Sequence, residues 1–81
     1  GLEAEVLVKY FNPCGAGTWL ITEAEREGDD WRLFGYCYIY EWEWSYLMLS
    51  DLQNLRLPFG LTIERDIYTN GKYVKDFISH E

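Results

Sequence analysis

The 81-residue chain carries 14 acidic against 7 basic side chains, a net charge of −7, and 19% of its residues are aromatic. The charge argues against binding a nucleic-acid backbone, which needs clustered Lys and Arg to displace counterions, and against docking on anionic lipid. No apolar run reaches the roughly 18 residues a membrane-spanning helix needs. The length corresponds to one domain over residues 1–81, whose rings supply apolar area that so short a chain otherwise lacks.

Gly1 reads as a remnant of tag cleavage, and residues 79–81 are expected to fray. Two cysteines, Cys14 and Cys37, are too few for a disulfide scaffold or a four-ligand zinc site, and His80 is the single histidine. Free thiols in a cytoplasmic protein are expected, with no cofactor and no metal site. Cys37 reads as a small core residue, whereas Cys14 falls in a turn with no nearby His to activate it.

In chain order, Glu3 to Phe11 alternates and predicts a first strand. Asn12-Pro13 breaks it, and Gly15-Ala16-Gly17 supplies positions that tolerate positive φ. Thr18 to Glu23 (TWLITE), rich in β-branched and aromatic residues, predicts the second strand. The acidic run Glu23 to Asp30 (EAEREGDD) is expected to be a solvated connection with a turn at Gly28-Asp29.

The stretch Trp31 to Tyr46, WRLFGYCYIYEWEWSY, follows. Its even positions are Arg32, Phe34, Tyr36, Tyr38, Tyr40, Trp42, Trp44 and Tyr46, seven of the eight aromatic. Successive strand residues point to opposite faces, so this pattern lays rings on one side of a sheet. Sixteen residues exceed a typical strand, so a central strand from Trp31 to about Tyr40 is expected, with a break before a short strand from Ser45 to Leu49. Ser50 is placed as the N-cap of a short helix over Asp51 to Arg56, stopped by Pro58 and Gly60. Leu61 to Tyr68 predicts another strand, with Leu61, Ile63, Arg65 and Ile67 on one face. Asn70-Gly71 signals a hairpin, which predicts a last strand over Lys72 to Ile78. The sum is an α+β domain, a mostly antiparallel β-sheet of about five strands with one short helix; a small β-barrel-like domain is the alternative.

Each chemical motif has a structural reading beside it. Asn12-Pro13-Cys14-Gly15-Ala16-Gly17-Thr18 lacks the Lys of a phosphate-binding loop and leads into a strand, so it is a tight turn joining two strands. In Glu64-Arg65-Asp66 the arginine points away from the two carboxylates, which suits a cross-strand ion pair or a structural arginine inside a polar network. Glu41 with Glu43, or Glu64 with Asp66, offers oxygen ligands of the kind Mg²⁺ takes, yet carboxylates two apart are common on solvated strands. Phe34 to Tyr38 reads as core. Trp42 and Trp44, interleaved with Glu41 and Glu43, read equally as core or as an exposed rim.

FNPCGAGTW (11–19), FGY (34–36), YLMLSDLQNLR (46–56) and LPFGLTIERD (57–66) together resemble the bacterial domain of unknown function 2958, small proteins often carried on plasmids and other mobile elements. The resemblance runs from about Val6 to Tyr68. Its structural signature here is Asn12, Pro13, Gly15, Gly17 and Trp19 with Glu64, Arg65 and Asp66. The family has no established activity, so no catalytic residue transfers. Two stretches depart from it: Tyr38 to Trp44, where the family often has an aspartate-leucine-glycine-type loop, and the tail after Tyr68.

The leading expectation is therefore a non-enzymatic accessory or interaction module of a mobile element that binds another protein. Its contact surface would be Tyr40, Glu41, Trp42, Glu43, Trp44 and Tyr46. An acidic decoy that mimics DNA and inhibits a DNA-binding enzyme is the alternative. A metal-assisted hydrolase using Glu64 and Asp66 is the third.

Overall fold

The computed structural model describes residues 1–66 and 68–78. Five strands form one open antiparallel sheet in the order β4-β3-β2-β1-β5. These are β1 (Val8–Phe11), β2 (Thr18–Glu27), β3 (Asp30–Tyr38), β4 (Trp42–Met48) and β5 (Glu64–Asp66). Two short helices, α1 (Leu49–Gln53) and α2 (Val74–Ile78), accompany them, with a single 3-10 turn at Pro58–Gly60. The fold is α+β, and the sheet is not closed into the barrel that was the alternative, because β4 and β5 end it as separate edges.

β1 and β2 are joined by the asparagine-proline turn, which is closed by its own hydrogen bonds. The Asn12 carboxamide accepts from the Cys14 N–H at 2.7 Å and donates to the Ala16 carbonyl at 3.2 Å, while the Asn12 N–H reaches the Gly17 carbonyl at 2.9 Å. Such side-chain bonding is how Asn stabilises turns. Gly17 has φ +138° and sits against the Trp19 ring, where a Cβ would lie 3.1 Å from a ring carbon.

The acidic run is not a loop. β2 and β3 pair out to Glu27 and Asp30, leaving only Gly28-Asp29 as the turn, with Gly28 at φ +63°. Cross-strand partners hold this hairpin tip: Arg32 bonds Glu25 at 3.0 Å, and the Arg26 guanidinium lies 5.5 Å from the Trp31 ring centre. Opposite pairs of this kind stabilise a strand that composition alone reads as solvated.

Pairing steps from Ile21↔Gly35 to Glu23↔Phe34, so Thr22 is an extra residue, a β-bulge. Its hydroxyl donates to the Phe34 carbonyl at 3.3 Å. Beside it the strands approach so closely that a Cβ on Gly35 would lie 2.1 Å from the Leu20 carbonyl oxygen. Only glycine fits there.

The break expected after Tyr40 is a chain reversal over Ile39–Glu41, so β4 begins earlier than expected, with Trp42 opposite Tyr38. The helix also begins earlier, and Ser50 is not its N-cap. Met48 holds that position without a side-chain bond, while Ser50 lies within α1. The cap comes from β3 instead: the Asp30 carboxylate accepts the Ser50 N–H at 3.1 Å, the Ser50 hydroxyl, and the Trp31 N–H at 2.7 Å. This satisfies an N–H that the helix itself cannot.

The largest departure concerns the last strand. The Asn70-Gly71 turn forms, with the Lys72 N–H on the Thr69 carbonyl at 3.1 Å. Only Tyr73 then bridges, to Glu5, before the chain enters α2. Asp76 reaches back to the Tyr73 N–H at 2.8 Å, the reciprocal bond of a helix start, and Val74, Phe77 and Ile78 fall at helical spacing. α2 is thus a second helix, beyond the one expected. Ile67 and the expected fraying of 79–81 lie outside the described residues. The N-terminal stretch that was expected to lengthen β1 is bonded here instead, Val6 to Lys72 and Val74 to Ala4, each at 2.9 Å.

The sheet separates two hydrophobic clusters. On the α1 side, Trp19, Ile21, Leu33, Cys37 and Leu52 are buried together with Leu47, Leu49 and Ile63 packed on them. On the other side, Val6, Leu20 and Val74 form a smaller cluster against Tyr36, Trp42, Trp44, Phe77 and Ile78.

Candidate functional site

The register places Arg32, Phe34, Tyr36 and Tyr38 of β3 directly across from Met48, Tyr46, Trp44 and Trp42 of β4. Directly opposed residues share a face. The alternation read from the sequence therefore survives the chain reversal, and its rings form one ladder of six.

The ladder has a regular geometry. Directly opposed rings are tilted, Phe34–Tyr46 at 4.7 Å, Tyr36–Trp44 at 4.8 Å and Tyr38–Trp42 at 5.3 Å between centres, with planes 40–55° apart. Diagonal pairs are stacked, Tyr36–Trp42 at 5.0 Å and Phe34–Trp44 at 5.5 Å, both 13° from parallel. Offset and tilted arrangements are those the ring quadrupole favours. Residues 4–6 and α2 cover part of this face, so Tyr36, Trp42 and Trp44 are half-buried. Tyr46 stays 66% exposed and Tyr40, at the hairpin tip, 94%.

The two ends of the ladder differ in charge. At the Phe34–Tyr46 end, an open hollow of about 230 Å³ is lined by Glu23, Ala24, Glu25, Arg32, Phe34 and Tyr46. The bulge brings the carboxylates here: with Thr22 as the extra residue, Glu23 and Glu25 fall opposite Phe34 and Arg32 and share the ring face. Arg32 bonds Glu25 and lies 5.7 Å from the Tyr46 ring centre, and Glu25 holds the guanidinium pKa above its ordinary value. At the Tyr38–Trp42 end, a hollow of about 310 Å³ is lined by Lys9, Thr18, Tyr38, Trp42 and Phe77. The Lys9 ammonium sits 5.4 Å from the Phe77 ring centre and 5.8 Å from that of Phe11.

The expected contact residues are thereby divided. Trp42, Trp44 and Tyr46 share the ladder, and Tyr40 and Glu41 lie in the reversal. Glu43 points to the opposite face, across from Cys37. There, burial and the Glu43 charge push the Cys37 thiol up to about 11, so it is inert, while Cys14 is exposed. The signature residues meet at another corner, where Phe11 pairs with both Thr18 and Glu64. Glu64 and Asp66 share one face of β5 and Arg65 takes the other, opposite Tyr10. Asp66 faces Lys9 in register, yet no ion pair joins them among the described residues; its carboxylate accepts the Tyr68 N–H at 2.8 Å instead.

Sequence reasoning missed Lys9, Thr18 and Phe77. The available signal was Lys9 itself, the charged position in an otherwise apolar and aromatic strand, but its neighbours come from β2, the β3–β4 hairpin and α2.

Among the described residues no three His, Cys, Asp or Glu side chains converge as a metal site would require, and no helix is long and apolar enough to cross a membrane. Compared with known proteins, the chain matches the model of a family described as protein of unknown function (DUF2958) over residues 3–77, and it belongs to that family. No curated protein and no solved structure matches it.

Proposed function

We propose that this member of the DUF2958 family is a cytoplasmic protein-binding module, serving an accessory role on a mobile element, that engages its partner along the β3–β4 hairpin. The observation that carries this reading is the exposure of Tyr40 and Tyr46 beside β4, a seven-residue strand whose outer edge pairs with no strand among the described residues. Exposed aromatic side chains are over-represented where proteins bind one another, and a free edge accepts an added strand. The mobile-element role rests on the family resemblance, and the cytoplasmic location on two cysteines that are free rather than paired.

The alternatives find less support. A DNA-mimicking decoy needs carboxylates free to face a partner. Here Glu25 and Glu3 are engaged by Arg32 and Lys75, and Asp30 by Ser50. Hydrolysis through Glu64 and Asp66 lacks a third converging ligand or base among the described residues.

The test is affinity capture from the source cells with wild-type protein and a Tyr40→Ser/Tyr46→Ser variant, both verified as folded by circular dichroism. The expected result is a reproducible protein partner that the variant loses. A partner retained in full by the folded variant would refute the hairpin as the contact surface.

A further inference from the structure

The sheet ends in two edges that are built differently. β5, at one end, has three residues, all of them charged, and offers an incoming strand little to pair with. β4, at the other, runs for seven residues, WEWSYLM, with one charge and neither Lys nor Pro. Its register with β3 holds without a shift from Trp42↔Tyr38 to Met48↔Arg32, so no bulge turns the edge away. No backbone hydrogen bond from outside the sheet reaches residues 42–47 among the described residues. Proteins ordinarily blunt such an edge by shortness, Lys, Pro, a bulge or a cover. β5 is guarded in this way and β4 is not. The charge around β4 also has one sign. Between Arg32 and Arg56 the chain has no basic residue. Glu41, Glu43 and Asp51 are exposed there, and none forms an ion pair among the described residues.

On the premise that the β3–β4 hairpin is the protein-binding element, we infer that the outer edge of β4 takes an extended, basic segment of the partner protein as a sixth strand. Main-chain hydrogen bonds hold such a strand, and its alternate side chains read the two faces of the sheet. Positions across from Trp42, Trp44 and Tyr46 carry β-branched or aromatic residues, which continue the ring ladder. Positions across from Glu43, Ser45 and Leu47 carry Lys or Arg, which meet the Glu43 carboxylate on the side of the sheet where α1 brings Asp51. The charge selects against a second copy of this chain as the occupant. Two β4 edges side by side would join two chains of net charge −7, with no basic residue in either strand.

The test titrates ¹⁵N-labelled protein with the end-blocked peptide Lys-Val-Lys-Tyr-Lys-Val-Lys and with its counterpart Glu-Val-Glu-Tyr-Glu-Val-Glu, following amide exchange in parallel. The expected result is saturable binding of the Lys peptide, about tenfold or more tighter than that of the Glu peptide. Alternate β4 amides that exchange freely in the unbound protein should become about tenfold or more protected, as new ladder bonds require. Glu43→Lys, at an exposed position, should narrow the preference between the peptides by roughly threefold or more, the scale of a cross-strand charge pair. No saturable binding of the Lys peptide by the folded protein, equal affinity for the two peptides, an unchanged preference in Glu43→Lys, or shifts without protection of β4 would overturn the inference. Protection of β4 that rises with protein concentration in the absence of peptide would place a second copy there and overturn it as well. The hairpin reading fails separately. A captured partner that Tyr40→Ser/Tyr46→Ser loses, together with absent peptide binding, would retain the hairpin as contact surface and remove only the added strand.

Discussion

The two faces of the sheet solve the same burial problem with different side chains. On the α1 side, Ile21, Leu33 and Leu52 are closed off against one another, and Cys37 packs among them. On the ring side, Leu20, Val6 and Val74 are as deeply buried, but they support a ladder whose outer rings stay half-open or exposed. Aliphatic side chains yield their stabilisation only when water is excluded, whereas stacked rings satisfy one another and leave an edge available. The α1 face is therefore the structural side, and the ring face is free to present a surface.

Gly35 stands between the two, and its substitution is the most damaging way to break the distinction. A Cβ at 2.1 Å from the Leu20 carbonyl oxygen cannot be relieved by a side-chain shift, since the obstacle is backbone. Gly35→Ala is expected to cost about 3 kcal/mol or more. Urea denaturation should show this loss, and a stability within about 1 kcal/mol of wild type would mean the strands can separate at the bulge.

Paired truncations sharpen the contrast. Leu52→Ala on the closed side is expected to cost about 3 kcal/mol, the usual cost of emptying a well-packed aliphatic site. Tyr46→Ala on the open side should cost about 0.5–1 kcal/mol, the scale of one lost ring pair. Thermal unfolding of the two variants checks the difference, and equal losses would make the ladder a structural element like the core.

The mildest test is acidification. Hydrogen bonds from the Ser50 hydroxyl and then the Trp31 N–H hold the Asp30 carboxyl below its ordinary value of 3.8. A group whose folded pKa lies below the unfolded one stabilises the fold fully above the unfolded value, and that contribution is lost as pH falls through the folded value. Wild type should therefore lose more stability than Asp30→Asn between pH 6 and pH 3. Matching losses would show that the tie between β3 and α1 contributes nothing.

Much of this contrast was legible in the residues. Period-two alternation from Phe34 to Tyr46 identified the ring face, because the three-residue reversal at Ile39–Glu41 returns Trp42 opposite Tyr38 and preserves the phase. The reversal itself was not legible as a turn, since Ile-Tyr-Glu has no glycine, proline or asparagine to announce it. The strong Asn70-Gly71 signal drew the following residues into a strand, although Val74, Phe77 and Ile78 already carried helical spacing. The Lys9 hollow was hidden for a different reason: its walls are brought together only by pairing between distant segments.

The bulge at Thr22 also constrains which changes of chain length this hairpin can tolerate. β2 consists of two half-strands of opposite phase, one feeding Ile21 to the α1 core and one aiming Glu23 and Glu25 along the rings. Substitutions can accumulate in either half separately. Deletion of Thr22 would restore regular pairing with Ile21 opposite Gly35 and Glu23 opposite Phe34, both still on their faces, whereas flattening the bulge with Thr22 kept in the pairing forces one half to exchange its faces. In that flattened pairing either Ile21 would turn out of the core, or Glu23 and Glu25 would turn away from Phe34 and Arg32. Thr22 thus works as a phase shifter, and relatives that lack the extra residue are expected to keep the same inward and outward residues in a strand that alternates without interruption.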